Sequence, residues 1–174
     1  MYCKNIANCC HFWVLTLFLC LNFSAVYASD ASSSHNFWNA LWGKPEPKPM
    51  LALGMWSYHL KNESQDMANS NNKLIGFSYH GLFAATLVNS ENHRSYAFGV
   101  QRYWFTKNLE PDLIYQLGYR LGLIYGYDKK LGHFAEVSPL VPFPQLISDL
   151  TWKHVGWELS YTWVVISTSF YIRF

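Results

Sequence analysis

The sequence predicts an all-β protein: an eight-stranded antiparallel transmembrane β-barrel preceded by a short amphipathic helix. Three observations predict it. The segment "DLIYQLGYRLGLIYGYD" (112–128) carries large, mostly apolar residues at every odd position from Leu113 to Tyr127 and small or polar residues at most even ones. That is the period-two pattern of a strand with two different faces. The last residues, "VVISTSFYIRF", alternate in the same way and end on Phe174, in the manner of the terminal strand of bacterial outer-membrane barrels. Aromatic residues make up 18% of the chain and charged residues 14%, yet mean hydropathy is −0.03. Strands that give only half their residues to lipid reconcile these values, and no run after the N-terminal segment is long and apolar enough for a membrane helix.

The N-terminal segment "MYCKNIANCCHFWVLTLFLCLNFSAVYASD" has one early cation, Lys4, an apolar run from about His11 to Phe23, and small residues ending in "VYA". This reads as a secretory signal peptide over residues 1–28, cleaved after Ala28, rather than a membrane anchor. A lipid-attachment variant at Cys20 is disfavoured because Phe18 and Leu19 are bulky. All four cysteines precede the cut, so the exported chain has neither disulfides nor a thiolate metal site. The cut removes one of 13 basic residues and none of the 11 acidic ones, leaving a net charge of +1, too weak a field to recruit nucleic acid.

Residues 29–49 are expected to hold an amphipathic helix and a linker. Phe37, Trp38, Leu41 and Trp42 form one helical stripe, and Gly43 with the prolines of "KPEPKP" ends it. The two tryptophans suit an interfacial helix at the barrel's periplasmic mouth. The barrel then occupies residues 50–174. Its strands are expected near 50–60, 72–79, 81–89, 94–105, 112–127, 136–146, 151–161 and 164–174. With periplasmic termini, the long polar "KNESQDMANSNN" falls outside, while "TKNLEP" and "SDL" make short periplasmic turns. A lipocalin-like secreted barrel is the soluble alternative. The outward sets Tyr96, Phe98, Val100 and Val155, Trp157, Leu159, Tyr161 are too apolar for it.

Two features bear on function. Gly118, Gly122 and Gly126 withhold bulk from the inward face of the fifth strand, where a narrow barrel is normally filled by side chains. The space is either a slot for a hydrocarbon chain or room for the opposite wall and for strand coiling. Pro139, Pro142 and Pro144 interrupt the sixth strand. Proline cannot donate to a ladder, so the wall is expected to weaken there into a lateral opening.

These segments together resemble the PagP family of outer-membrane lipid A palmitoyltransferases. The similarity runs from about Phe37 to Phe174 and rests on "FWNALW", "WSYH", "GLFAATLVNS", "SPLVPFP" and the aromatic last strand. The resemblance implies transfer of a palmitoyl chain from a phospholipid donor to lipid A by a monomer in the outer membrane of a Gram-negative bacterium, with no cofactor. It implies catalytic roles for His59, Asn89 and Ser90, with Asn89 standing where the family has Asp. A histidine suits removal of the hydroxyl proton, and Ser90 and Asn89 could donate to the developing oxyanion. Ser90 activated by His59 as a nucleophile is a further option. His93, Arg94, Asp128, Lys129, Lys130 and His133 are rim candidates for lipid A phosphates or simply solvated loop charges. No metal-ligand spacing and no phosphate loop is present. Two other classes stay open: a non-catalytic anchor or adhesin barrel, and a lipid A deacylase in which Glu158 would orient the histidine.

Overall fold

The computed structural model describes residues 34–60, 70–89, 92–127 and 139–174. The expected signal peptide, Ser90, Asp128, Lys129, Lys130 and His133 lie outside them. Helix α1 spans Ser34–Trp42 and eight strands follow: β1 Met50–His59, β2 Ile75–Tyr79, β3 Leu82–Val88, β4 Arg94–Glu110, β5 Leu113–Tyr125, β6 Leu140–Trp152, β7 Val155–Tyr161 and β8 Val165–Arg173. Each strand pairs antiparallel with the next, and β8 pairs with β1, closing the barrel. No helix among the described residues is long and apolar enough to cross a membrane.

Side-chain alternation sorts the chain as expected. Phe77, Phe98, Leu121, Trp157 and Phe170 stand exposed on the outer wall, while Gln101, Gln116, Asp149, Glu158, Ser167 and Ser169 are buried in the bore. The lower strand ends differ from the expectation. β4 continues to Glu110 and β6 to Trp152, so "TKNLEP" and "SDL" are largely strand. The turns themselves are only Pro111–Asp112 and Lys153–His154. Polar strand residues had been read as turn because they lie below the apolar stretch of their strands.

One irregularity changes which face a residue occupies. Gly54 has φ +71°, and the β1–β8 register shifts between Leu53 and Met55. This bulge inserts one residue, so inward positions change from Met50 and Ala52 to Met55, Ser57 and His59. Without it His59 would face outward.

The linker is a strap across the barrel floor. Lys44 exchanges backbone hydrogen bonds with Tyr103 on the lower edge of β4, each 2.8 Å, and the Phe174 amide donates to Pro49 O at 3.0 Å. Between them Glu46 turns into the bore, accepting from Gln116 Nε2 at 2.8 Å and lying 3.6 Å from Arg173. Above the strap the lower bore is filled by polar side chains. Arg120 donates to both Glu158 oxygens (2.7 and 3.1 Å), to Gln101 Oε1 and to Gln145 Oε1. Gln145 in turn donates to Ser160, which bonds Ser167 at 2.7 Å. Buried polar groups persist when satisfied in this way.

Close packing also fixes Gly156. A Cβ there would fall 2.0 Å from Tyr171 Cζ, and Tyr171 is 2% exposed with its hydroxyl bonded to Thr151. Gly156→Ala is expected to destabilise the barrel by about 1–3 kcal/mol, the usual cost of overpacking, measured as a lower urea midpoint in detergent micelles.

Candidate functional site

Above the polar layer the bore becomes apolar. Phe83, Leu87, Ala97, Ile124 and Val141 form one buried cluster, with Met55, Leu74, Tyr127 and Phe143 packed on it. The boundary is sharp. The Arg120 guanidinium lies 5.1 Å from the Phe83 ring centre, and Phe83 meets Phe143 edge to face at 5.9 Å. Narrow barrels usually keep a polar interior throughout, so the apolar upper half is a departure that the alternation on β3, β5 and β6 writes directly.

Gly118 and Gly122 of β5, and Gly126 just after it, sit where a side chain of their own would not fit. A Cβ on Gly118 would meet Arg102 O at 2.0 Å, and one on Gly126, where φ is +100°, would meet Arg94 O at 2.7 Å. On Gly122 it would meet Phe98 O at 2.5 Å and the Phe83 and Phe143 rings at about 3 Å. The missing side chains let β4 backbone and two phenyl rings approach, which is the strand-coiling and opposite-wall reading.

His59 enters the upper rim from β1, half-buried and in register with Val165. Asn89 follows β3 and is fully buried. Its Nδ2 donates to Gly126 O at 2.7 Å, its Oδ1 accepts from the His93 amide at 2.9 Å, and Ser95 Oγ joins it on Gly126 O. The carboxamide thus closes the β3–β4 turn and ties it to the end of β5. In this arrangement both polar atoms of the carboxamide serve the β3–β4 connection. Met55 O accepts from the Asn72 amide, and Asn72 O accepts from the Val88 amide, so Asn72 bridges β1 to the residue before Asn89. The deacylase arrangement is not formed by Glu158. Glu158 pairs with Ser169, which pairs with Met55, whereas His59 pairs with Val165, and the Glu158 carboxylate is engaged by Arg120.

The wall opens at the sixth strand. Pairing of β6 with β5 continues from Leu113↔Trp152 up to Tyr125↔Leu140, past both Pro142 and Pro144. Pairing with β7 stops at Leu146↔Tyr161. Alternate residues of a strand address opposite neighbours, so the two prolines lack donors on one side, and that side is the one facing β7. Pro139 precedes the strand. Outside the seam lies an apolar groove of about 630 Å³, lined by Trp38, Leu41 and Trp42 of α1, Trp104, Tyr119, Leu121, Pro144, Leu146, Tyr161 and Trp163. Gln145 borders the groove while bonding Arg120 and Ser160 inside the bore.

Sequence reasoning missed the groove's lower border. Helix α1 packs on the outer wall rather than at the mouth, because the barrel satisfies its last carbonyls. Trp104 Nε1 donates to Leu41 O at 2.7 Å and Tyr119 OH to Trp42 O at 2.9 Å. The Arg102 guanidinium stacks 5.5 Å from the Trp42 ring. These partners lie some sixty to eighty residues away in sequence, and no local signal marks them.

Fold and site together define a small closed β-barrel with a polar floor and an apolar upper bore, in which β6 extends beyond the end of β7. No protein-family model matches the chain, and a search of curated proteins finds no match.

Proposed function

We propose that the protein is an acyltransferase of the bacterial outer membrane that moves a palmitoyl chain from a phospholipid to a hydroxyl of lipid A. The observation that carries this reading is the loss of the β6–β7 ladder above Leu146. It leaves β6 without a β7 partner beside the apolar outer groove, where a lipid entering sideways from a bilayer would pass toward the apolar upper bore. The exposed apolar outer wall and the Trp and Tyr residues near both strand ends support embedding in lipid.

In this reading the acyl chain lodges among Phe83, Leu87, Ile124 and Val141, with its ester toward the rim. His59 takes the proton of the acceptor hydroxyl as that oxygen attacks the ester carbonyl. It returns the proton to the departing glycerol oxygen, leaving a lysophospholipid. Ser90, next to Asn89 in sequence, supplies a donor to the oxyanion. Because Asn89 is already bonded to Gly126 and His93, its part is to position the turn.

The test is expression in a Gram-negative host lacking its own palmitoyltransferase, followed by mass spectrometry of lipid A. The expected result is a gain of one palmitoyl unit. A second reading, a non-catalytic barrel, is favoured by the Phe83–Phe143 contact that narrows the bore above the polar layer. It predicts unchanged lipid A from a folded, membrane-inserted protein, and that result overturns the transferase.

A further inference from the structure

The outer wall carries an arginine that the proposed reaction does not use. Gln101 and Tyr103, on either side of Arg102, are buried in the bore, so alternation turns Arg102 outward. It pairs with Tyr119 across the β4–β5 ladder, and its guanidinium lies 5.5 Å from the centre of the exposed Trp42 ring. Among the described residues this side chain makes no hydrogen bond and no ion pair, and its Nε is buried without a partner.

The backbone sets its place on the wall. The β3–β4 ladder begins at Leu82↔Val100, the Gln101 amide donates to Gly81 O in the β2–β3 turn, and Tyr103 bonds Lys44 of the strap. A Cβ on Gly81 would come 3.1 Å from Arg102 Nη1. Arg102 therefore stands at the strap end of the barrel, where β4 passes beyond β3. Trp42 and Trp104, exposed beside it, are of the type that gathers at a membrane–water interface. A cation facing hydrocarbon is costly, and arginine near a bilayer surface is stabilised by a phosphate, which its planar fork binds bidentately.

Room for the rest of a lipid adjoins it. Trp42 and Tyr119, which flank Arg102, also line the apolar outer groove with Trp38, Leu41 and Leu121. Its volume of about 630 Å³ lies within the range of ligand sites, roughly 300–1,000 Å³. An apolar groove bordered by an unpaired cation is complementary to an amphiphile with an anionic head.

We infer that the α1 side of the groove binds a phospholipid of the periplasmic leaflet, with its phosphodiester on the Arg102 guanidinium and an acyl chain against α1 and β5. This lipid is not the acyl donor. The strap leads into β1 at Met50 and His59 ends that strand, so a headgroup at Arg102 sits at the end of the barrel away from the histidine.

The inference rests on the embedding of the outer wall in lipid proposed above, and not on acyl transfer. Native mass spectrometry of the full chain released from detergent micelles compares phosphatidylglycerol with a diacylglycerol carrying the same chains. One phosphatidylglycerol should stay bound about 10- to 100-fold more tightly than the diacylglycerol, the range for hydrogen bonds to a charged group. Arg102→Gln should abolish that preference and His59→Gln should keep it. Equal retention of the two lipids, or an undiminished preference in Arg102→Gln, overturns the inference. So does a preference lost in His59→Gln, which would put the lipid at the reaction site. Glycerol phosphate held as tightly as the lipid also overturns it, because the groove then adds nothing. Should Arg102→Gln fail to fold, the wild-type comparison of the two lipids decides. Flotation with phosphatidylcholine vesicles separates this inference from the reading beneath it. A folded chain that does not float overturns both, whereas one that floats without the lipid preference overturns this inference alone. A clear preference with unchanged lipid A leaves the site standing without the transferase.

Discussion

Glu158→Ala should cost the barrel about 3–5 kcal/mol, the range for removing one partner from a buried ion pair. The expectation follows from what Arg120 keeps. Gln101 and Gln145 still accept from its guanidinium, but these are neutral acceptors, and the side chain is only 16% exposed. The charge is left enclosed without its anion. The double variant Arg120→Met, Glu158→Met is expected to lose less than the sum of the single changes, because neither charge is then orphaned. The difference is read from urea midpoints in micelles at fixed pH. A Glu158→Ala barrel of wild-type stability would mean that Arg120 escapes to water or finds another carboxylate.

His59→Gln should reduce palmitoyl transfer by roughly 10²–10⁴-fold, the usual contribution of a positioned acid–base group, while leaving the urea midpoint near that of wild type. Gln keeps size and hydrogen bonding but cannot cycle a proton. The histidine sits at the end of β1, four residues beyond Met55 of the apolar cluster, and takes no part in the Arg120–Glu158 network. Lipid A mass spectrometry and unfolding are measured on the same preparation. Full transfer by His59→Gln would remove His59 from the chemistry.

Much of this barrel was legible because strand alternation is a local property. The inward set Gln116, Gly118, Arg120 and Gly122 and the terminal face Ser167, Ser169, Tyr171 and Arg173 were readable from residue order alone. So was the missing donor at Pro142 and Pro144, since that is a fact about one residue; the β5 pairing nevertheless runs past both. What escaped were features that need two distant parts of the chain. Glu46 reads as one charge in a proline-rich linker, and only its meeting with Gln116, 70 residues away, gives it a place. The glycines of β5 were ambiguous for the same reason: emptiness is defined by neighbours, and β4 backbone fills it. Asn89 reads from sequence only as a polar residue after the third strand, and its bonds to Gly126 and the His93 amide appear only once the strands are paired.

The strap has a consequence for biogenesis. Glu46 belongs to the first part of the barrel to be made and Arg173 to the last, yet they meet beneath the bore, while the Phe174 amide joins Pro49. Sealing the cylinder and latching its base thus both wait on β8. Without Arg173 and Phe174 the hairpins could still zip, but the base would lack its bolt.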